Sequence, residues 1–376
     1  MPSPIYMLDL KNQYLKIKNQ IDAAIAEVIE SSAFINGKQV SDFTEHLSDY
    51  LNVPYVIPCA NGTDALQIAL MALCLAPGDE VIVPAFTYAA PVEVIGLLGL
   101  VPVLVDVAPE HFNMLPQTLD RAYSPRTRAV IPVHLFGQCA AMGPIMEWAK
   151  KRRVYVVEDV AQSLGAKYKG ERAGTVGDIG CTSFFPTKNL GCFGDGGAIM
   201  TKDARLAEKI KMIAQHGQRE KYVHEVLGCN SRLDTLQAAI LDVKLKYLDD
   251  YERARYRAAQ RYTEDLQGIE GLICPVQESY TTHVFHQYTL RILNGRRDEL
   301  KRRLAASGIP TMVYYPLPVH RQPAFCSLVR RAGSLEVSEQ LCGEVLSLPM
   351  HTELTPQMQK IITAEICRFF STPPQL

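Results

Sequence analysis

The sequence carries no excess charge of either sign. Its 39 Lys and Arg nearly match its 40 Asp and Glu, for a net charge of −1. By charge alone this excludes a basic surface for nucleic acid or an anionic membrane. The ten cysteines include no C-x-x-C pair and no zinc-type spacing, so no metal is expected. A chain of 376 residues that is 47% hydrophobic buries enough core to need no disulfide framework. The thiols are read as free or buried in a reducing cytoplasm, with Cys181 and Cys192 as small packing residues. There is no long apolar run either. The richest stretch, Val81 to Val107, is broken by Pro84, Pro91, Glu93 and Pro102 and falls short of the ~20 residues that span a bilayer. The first ten residues, Met1 to Leu10, show neither a basic region nor a long apolar one, so no signal peptide is expected. Internal repeats and low-complexity segments are absent.

What remains is a pattern of alternation. Ile17, Ile21, Ala24, Ile25, Val28 and Ile29 mark one face of a helix over 12–31. A second helix is expected over 39–51, after an Asn36-Gly37 turn. From Tyr55 on, short apolar runs alternate with helical stretches. Residues 81–83, 103–105, 130–133 and 154–157 read as buried strands, with helices near 64–75, 88–98, 116–123 and 140–151. Such alternation is the signature of an α/β fold with a mostly parallel sheet covered on both faces. Strands at 178–185 and 197–201 flank a glycine-rich loop. A long helix over 233–267 leads out of the large domain. A strand at 286–292 and helices at 296–307 and 355–370 outline a smaller α+β domain. The expected division is 1–250 and 251–376.

Several residues within this frame carry chemistry. Asn61-Gly62-Thr63 follows a strand and opens a helix, where free N–H groups, a positive dipole end and the Thr63 hydroxyl favour phosphate. A plain cap by Asn61 is the alternative. Asp159 ends a run of valines and so lies beyond the carboxyl end of a strand, where ligands gather in open α/β sheets. An acid there holds a pyridine N–H, or it merely caps a helix. Gln162 follows at a distance that reaches a ring's phenolic oxygen. Lys188 stands in Thr182-Ser183-Phe184-Phe185-Pro186-Thr187-Lys188, just before Gly191, Gly194, Gly196 and Gly197. Aromatic and glycine neighbours suit a lysine that forms a Schiff base. Ser183 is placed to share the phosphate with Thr63. Tyr88, in Phe86-Thr87-Tyr88-Ala89, offers a stacking face, or packs in the core. Together they point to pyridoxal 5′-phosphate (PLP), held by Lys188 and Asp159.

Across nearly its whole length the chain resembles the DegT/DnrJ/EryC1/StrS sugar aminotransferases, of the aspartate aminotransferase-like, fold-type-I PLP enzymes. The resemblance rests on Asn61-Gly62-Thr63-Asp64-Ala65-Leu66, Pro84-Ala85-Phe86-Thr87-Tyr88, Val133-His134-Leu135-Phe136-Gly137-Gln138, Glu158-Asp159-Val160-Ala161-Gln162-Ser163, the Lys188 segment and Gly194-Asp195-Gly196-Gly197. It implies that Lys188 binds the cofactor and later shuttles the proton, and that Asp159 pairs the pyridine nitrogen. It further implies that Gln162 contacts the phenolic oxygen, that Gly62, Thr63 and Ser183 hold the phosphate, and that Tyr88 stacks. Pyridoxamine 5′-phosphate (PMP) is the implied second form of the cofactor. Relatives that work as dehydratases carry histidine at the lysine position, so Lys188 favours transamination. Asn230 is expected to reach the phosphate in a neighbouring subunit, which implies a homodimer with shared active sites.

A finer likeness spans Gln215 to Gln218, Tyr222, His224 and Asn230 to Leu241. It resembles the branch acting on 3-keto nucleotide sugars. It implies L-glutamate as amino donor and a 3-keto UDP-sugar as acceptor, with UDP-2-acetamido-2-deoxy-3-oxo-glucuronate as the expected substrate. The product would serve a surface polysaccharide such as lipopolysaccharide or O-antigen. Tyr314-Tyr315-Pro316-Leu317-Pro318 is similar to the substrate loop, although histidine is common where Tyr314 stands. His320 and Arg321 are candidates for the diphosphate. Arg232 is a candidate for a carboxylate, or for an interface salt bridge. A dTDP-3-keto-6-deoxyhexose substrate, a non-catalytic, PLP-binding regulatory role and a PLP lyase acting on a small amino acid are the competing readings.

Overall fold

The computed structural model describes residues 4–371, so the first three residues of the N-terminal stretch read above lie outside it. In chain order the elements are α1 (Leu10–Ser31), α2 (Lys38–Leu51), β1 (Tyr55–Cys59), α3 (Gly62–Ala72), β2 (Glu80–Pro84), α4 (Ala90–Leu97) and β3 (Val101–Val105). There follow α5 (Leu119–Ala122), β4 (Thr127–Val130), α6 (Met142–Arg152), β5 (Tyr155–Asp159), β6 (Lys167–Tyr168), β7 (Glu171–Arg172), β8 (Ile179–Ser183), β9 (Gly197–Thr201) and α7 (Ala204–Ala214). The chain continues through β10 (Gln218–Glu220), β11 (Val223–His224), α8 (Thr235–Leu245), α9 (Leu248–Leu266), β12 (Leu272–Ile273), β13 (Tyr288–Ile292) and α10 (Arg297–Ala306). It closes with β14 (Arg330–Arg331), α11 (Glu336–Glu344), β15 (Val345–Leu348) and α12 (Pro356–Ser371).

The large sheet runs β1-β9-β8-β5-β4-β2-β3-β14. Strand β9 is antiparallel to both neighbours, and the other pairings are parallel. This is the mostly parallel α/β sheet expected from the sequence. Alternate residues feed two separate cores. Val81, Val83 and Leu104 enter one, while Ile82, Val103 and Val105 enter the other. Burial on both faces explains why these strands read as unbroken apolar runs. The antiparallel strands β12, β13 and β15 form a smaller sheet. A third core covers it, with Tyr262, Leu266, Ile362 and Ile366 from α9 and α12.

Some expectations shift. The strand expected at 130–133 is Thr127–Val130, because Pro132 has no N–H to continue a ladder. The helix expected over 233–267 is two helices that meet at Lys246–Tyr247. The first is buried within the large domain, and the second carries the chain out of it. The expected boundary at 250 therefore falls in the first turn of α9. The charged pair Arg330–Arg331 returns from the C-terminal half to pair with Val103 and Leu104 of β3. Among the described residues no helix is long and apolar enough to cross a membrane.

Candidate active site

The parallel strands β1, β2, β5 and β8 deliver their carboxyl ends to one edge of the sheet, where ligands bind in such folds. The end of β1 leads through Asn61 into α3. The Asn61 carboxamide accepts the Asp64 N–H at 2.8 Å. The first helical N–H groups, of Gly62 and Thr63, have no intrahelical partner and take no other among the described residues. Gly62 packs directly on the end of β8, since a Cβ there would stand 2.6 Å from the Ser183 Cβ. Gly197 lies as close on the other side, with a Cβ 2.5 Å from the Asn61 carbonyl carbon. Two glycines thus let the helix start sit against Ser183. The result is a cup of two N–H groups beside the Ser183 hydroxyl, whose oxygen would lie 3.3 Å from that Gly62 Cβ. Asp64 is turned away to accept a hydrogen bond from Ser231 at 2.6 Å.

Asp159 closes β5 and is 7% exposed. Burial pushes its carboxyl above the ordinary range, against the pull of the Ala161 N–H and the Lys188 charge. That N–H, at 3.0 Å, is the carboxylate's one hydrogen-bond donor among the described residues. A buried carboxylate so thinly satisfied calls for a cationic partner.

Lys188 follows β8 in a tight loop. Its N–H donates to the Phe185 carbonyl at 2.8 Å, and Asn189 donates to the Val284 carbonyl at 3.1 Å. Lys244 holds the Gly191 carbonyl. Among the described residues the Lys188 ammonium makes no hydrogen bond or ion pair. Burial brings its amine down from 10.5 to about 8, against the opposing charge of Asp159. Such an amine is ready for nucleophilic attack near neutral pH.

Gln162 is fixed at both ends of its amide. Its Oε1 accepts the Phe136 N–H at 2.9 Å, and its Nε2 donates to the Tyr315 hydroxyl at 3.0 Å. One amide N–H remains for a phenolic oxygen. Tyr88 is 58% exposed, its ring centroid 6.2 Å from that of Tyr315, so it has a face open for stacking. Tyr314 and Tyr315 lie edge to face at 6.1 Å.

The remaining candidates are placed differently. Asn230 is exposed and forms a bridge with Gln215. Arg232 lines a groove of about 990 Å³ bordered by α2, β1 and α7, whose lining includes neither Lys188 nor Asp159. It forms no salt bridge among the described residues. His320 is 1% exposed, and its Nε2 meets the Glu339 carboxylate at 2.8 Å. Arg321 binds the same carboxylate at 2.9 Å. Both side chains expected at a diphosphate are thus committed within the chain.

Residue patterns alone passed over His286. It is 5% exposed, its Nδ1 has no partner among the described residues, and burial together with the Lys188 and Arg255 charges drives its imidazole well below its usual range. The stretch 283–292 also holds His283, Gln287, Thr289 and Arg291, so no local pattern singled His286 out.

The DegT/DnrJ/EryC1/StrS aminotransferase family matches residues 15–367. The chain belongs to this family. It is 46% identical to the UDP-2-acetamido-2-deoxy-3-oxo-D-glucuronate aminotransferase of Pseudomonas aeruginosa, over 96% of this chain and 99% of that one. It is also 46% identical to a pleiotropic regulatory protein of Geobacillus stearothermophilus, over 97% and 98% of the two chains. A dTDP-3-amino-3,4,6-trideoxy-alpha-D-glucose transaminase of Streptomyces venezuelae is 42% identical over 95% and 94%. A solved DegT/DnrJ/EryC1/StrS aminotransferase from Brucella abortus superposes with a TM-score of 0.95 at 41% identity, covering 98% of this chain and all of that one. The NtdA structure from Bacillus subtilis, solved with PMP as bound cofactor, superposes with a TM-score of 0.89 at 32% identity, covering 95% and 82%.

This family member is a PLP-dependent aminotransferase. Its residues fit the cofactor. The α3 cup suits a phosphate dianion, the under-satisfied Asp159 suits a protonated pyridine nitrogen, and the Lys188 amine is unpaired.

Proposed function

We propose that the enzyme transfers the amino group of L-glutamate to a 3-keto UDP-sugar, with UDP-2-acetamido-2-deoxy-3-oxo-glucuronate the expected acceptor. The Pseudomonas aeruginosa relative, similar over almost the full length of both chains, carries this reading. Within one chain Arg232 lines a separate groove, so its guanidinium meets a substrate carboxylate only in the site of a second copy. Bound PLP supplies an aldehyde that carries the amino group and a ring that accepts electrons.

The chain supplies the rest. The N–H groups of Gly62 and Thr63, with the Thr63 and Ser183 hydroxyls, hold the phosphate. Asp159 keeps a proton on the pyridine nitrogen. Gln162 binds the phenolic oxygen, and Tyr88 covers one ring face. Lys188 Nζ takes the proton from the glutamate α-carbon and returns it at C4′. In the second half the same amine works in reverse on the keto sugar. Tyr314 and Tyr315 border the sugar side. The exposed Asn230 extends to the phosphate of a second copy, so the working form is a homodimer. The amino-sugar product would enter a surface polysaccharide such as lipopolysaccharide or O-antigen.

A dTDP-linked sugar is the second reading, favoured by the Streptomyces venezuelae relative. The relative described as a pleiotropic regulatory protein favours a regulatory role beside the catalytic one. One titration separates the two sugars. The absorbance of the PLP-loaded protein is followed on adding L-glutamate, then each keto sugar. Conversion to the shorter-wavelength PMP band, reversed only by the carboxylated UDP-sugar, is the expected result. Reversal only by the dTDP-sugar moves the substrate to the second reading. A band that glutamate leaves unchanged removes glutamate as the amino donor.

A further inference from the structure

Glu158 and His134 stand in two of the quoted motifs and have no part in the site as described. Both are wholly buried. Glu158 precedes Asp159 on β5, so its side chain lies on the opposite face of the sheet. It gathers four donors. His134 Nε2 lies 2.9 Å from its Oε2, and Gly174 N–H donates to the same oxygen at 3.0 Å. Val176 and Gly177 N–H donate to Oε1 at 2.8 and 2.6 Å. Burial raises the Glu158 carboxyl, but His134 and the Gly177 and Gly174 N–H groups outweigh it and hold it below its ordinary value.

His134 is equally constrained. Its Nδ1 accepts the Ala140 N–H at 3.1 Å, so its ring proton sits on Nε2 and donates to Glu158. Its own N–H donates to the Asp159 carbonyl at 3.0 Å, while the Asp159 N–H donates to the Pro132 carbonyl at 2.9 Å. One histidine therefore grips the neighbouring carboxylate with its ring and the Asp159 backbone with its N–H. Asp159 itself has a single side-chain donor, so its direction depends on this backbone frame.

We infer that Glu158 and His134 form a positioning pair that aims the Asp159 carboxylate at the pyridine nitrogen. The inference rests on the reading of Asp159 given above. Outer partners of metal ligands typically change metal affinity by ~10- to 100-fold, and the lower end of that range is taken for the Asp159 carboxylate.

A double-mutant cycle tests it, with PMP affinity of the full-length apoprotein as the readout. PMP makes no bond to Lys188, so its dissociation constant reports the non-covalent contacts. Wild type, Glu158→Gln, Asp159→Asn and the double variant are compared. Glu158→Gln is expected to weaken PMP binding by about tenfold in the wild-type background and to have almost no effect beside Asp159→Asn. An equal loss in both backgrounds, or no loss in the first, overturns the pair's role. If Asp159→Asn alone leaves PMP affinity unchanged, it is the Asp159 assignment that fails. Should Glu158→Gln not fold, His134→Asn takes its place in the cycle, since it removes one of the four donors and keeps the three backbone ones. A loss from His134→Asn that persists undiminished beside Asp159→Asn overturns the inference in the same way.

Discussion

Replacing Gly62 by alanine probes the phosphate cup most directly. The new Cβ would stand 2.6 Å from the Ser183 Cβ and 3.2 Å from its Cα. Carbon atoms pack best at ~3.5–4.0 Å, so about 1 Å must be found by moving backbone. The end of β8 cannot readily move, because Ser183 is laddered to Gly197 on β9. Overpacking of this sort costs about 1–3 kcal/mol. Each kcal/mol lowers a melting temperature by ~2–4 °C in domains of ~150–250 residues, so a drop of a few degrees is expected for the apoprotein. The displaced groups are those that face the phosphate. Loss of one hydrogen bond to a charged group is worth ~1.5–3 kcal/mol, so PMP affinity should fall roughly ten- to a hundredfold. The control is Gly343→Ala in α11, where a Cβ meets nothing within 4 Å. It should leave affinity unchanged and hold or raise the melting temperature, since alanine suits a helix better by ~1 kcal/mol. Calorimetry and PMP titration read both effects. A Gly62→Ala protein that melts and binds as the parent does would falsify the close-packing argument.

Lys188 and Arg330 give two further tests. With the amine near 8, roughly one Lys188 in ten is uncharged at pH 7 and nearly all are by pH 9–10. The rate of PLP capture by apoprotein, followed by stopped-flow absorbance, should rise about tenfold per pH unit below 8 and then level. A rise that continues undiminished to pH 10 would show an ordinary lysine. Arg330 donates to buried Glu80 at 2.8 Å and to the Ala122 carbonyl at 2.7 Å. Burial raises the Glu80 carboxyl, but Ser124 and Arg330 outweigh it and hold it below its ordinary value. Arg330→Met should therefore cost about 1–3 kcal/mol in urea unfolding at pH 7. That stability is present above the ordinary carboxylate range and lost as pH falls through the folded value, so the gap should narrow in acid. A gap that stays constant with pH would separate Arg330 from the Glu80 charge.

Lys188 and Asp159 were legible in the sequence because each interrupts a local pattern, a glycine-rich aromatic loop in one case and the end of a valine strand in the other. Local patterns also revealed the parallel sheet. Interactions between distant segments were not legible. Nothing local marks His134 as the partner of Glu158, 24 positions away, or Glu339 as the partner of His320. His320 therefore read as a free anion-binding side chain. Arg232 lies near Asn230 in sequence, yet the groove it lines is separate from the Lys188 loop. The helix break at Lys246–Tyr247 was hidden because both flanks favour helix. Strand β14, two arginines long, has none of the apolar character from which strands are read.

That short strand bears on how the protein is made. Until residues 330–332 emerge from the ribosome, β3 has no neighbour on its outer side. Its five residues, Val-Pro-Val-Leu-Val, present an apolar edge of the kind that recruits other chains. At ~5–20 residues per second, the wait from β3 to β14 is roughly ten to fifty seconds. Pro102 within β3 lacks an N–H to offer a foreign strand and so serves as a gatekeeper during that interval.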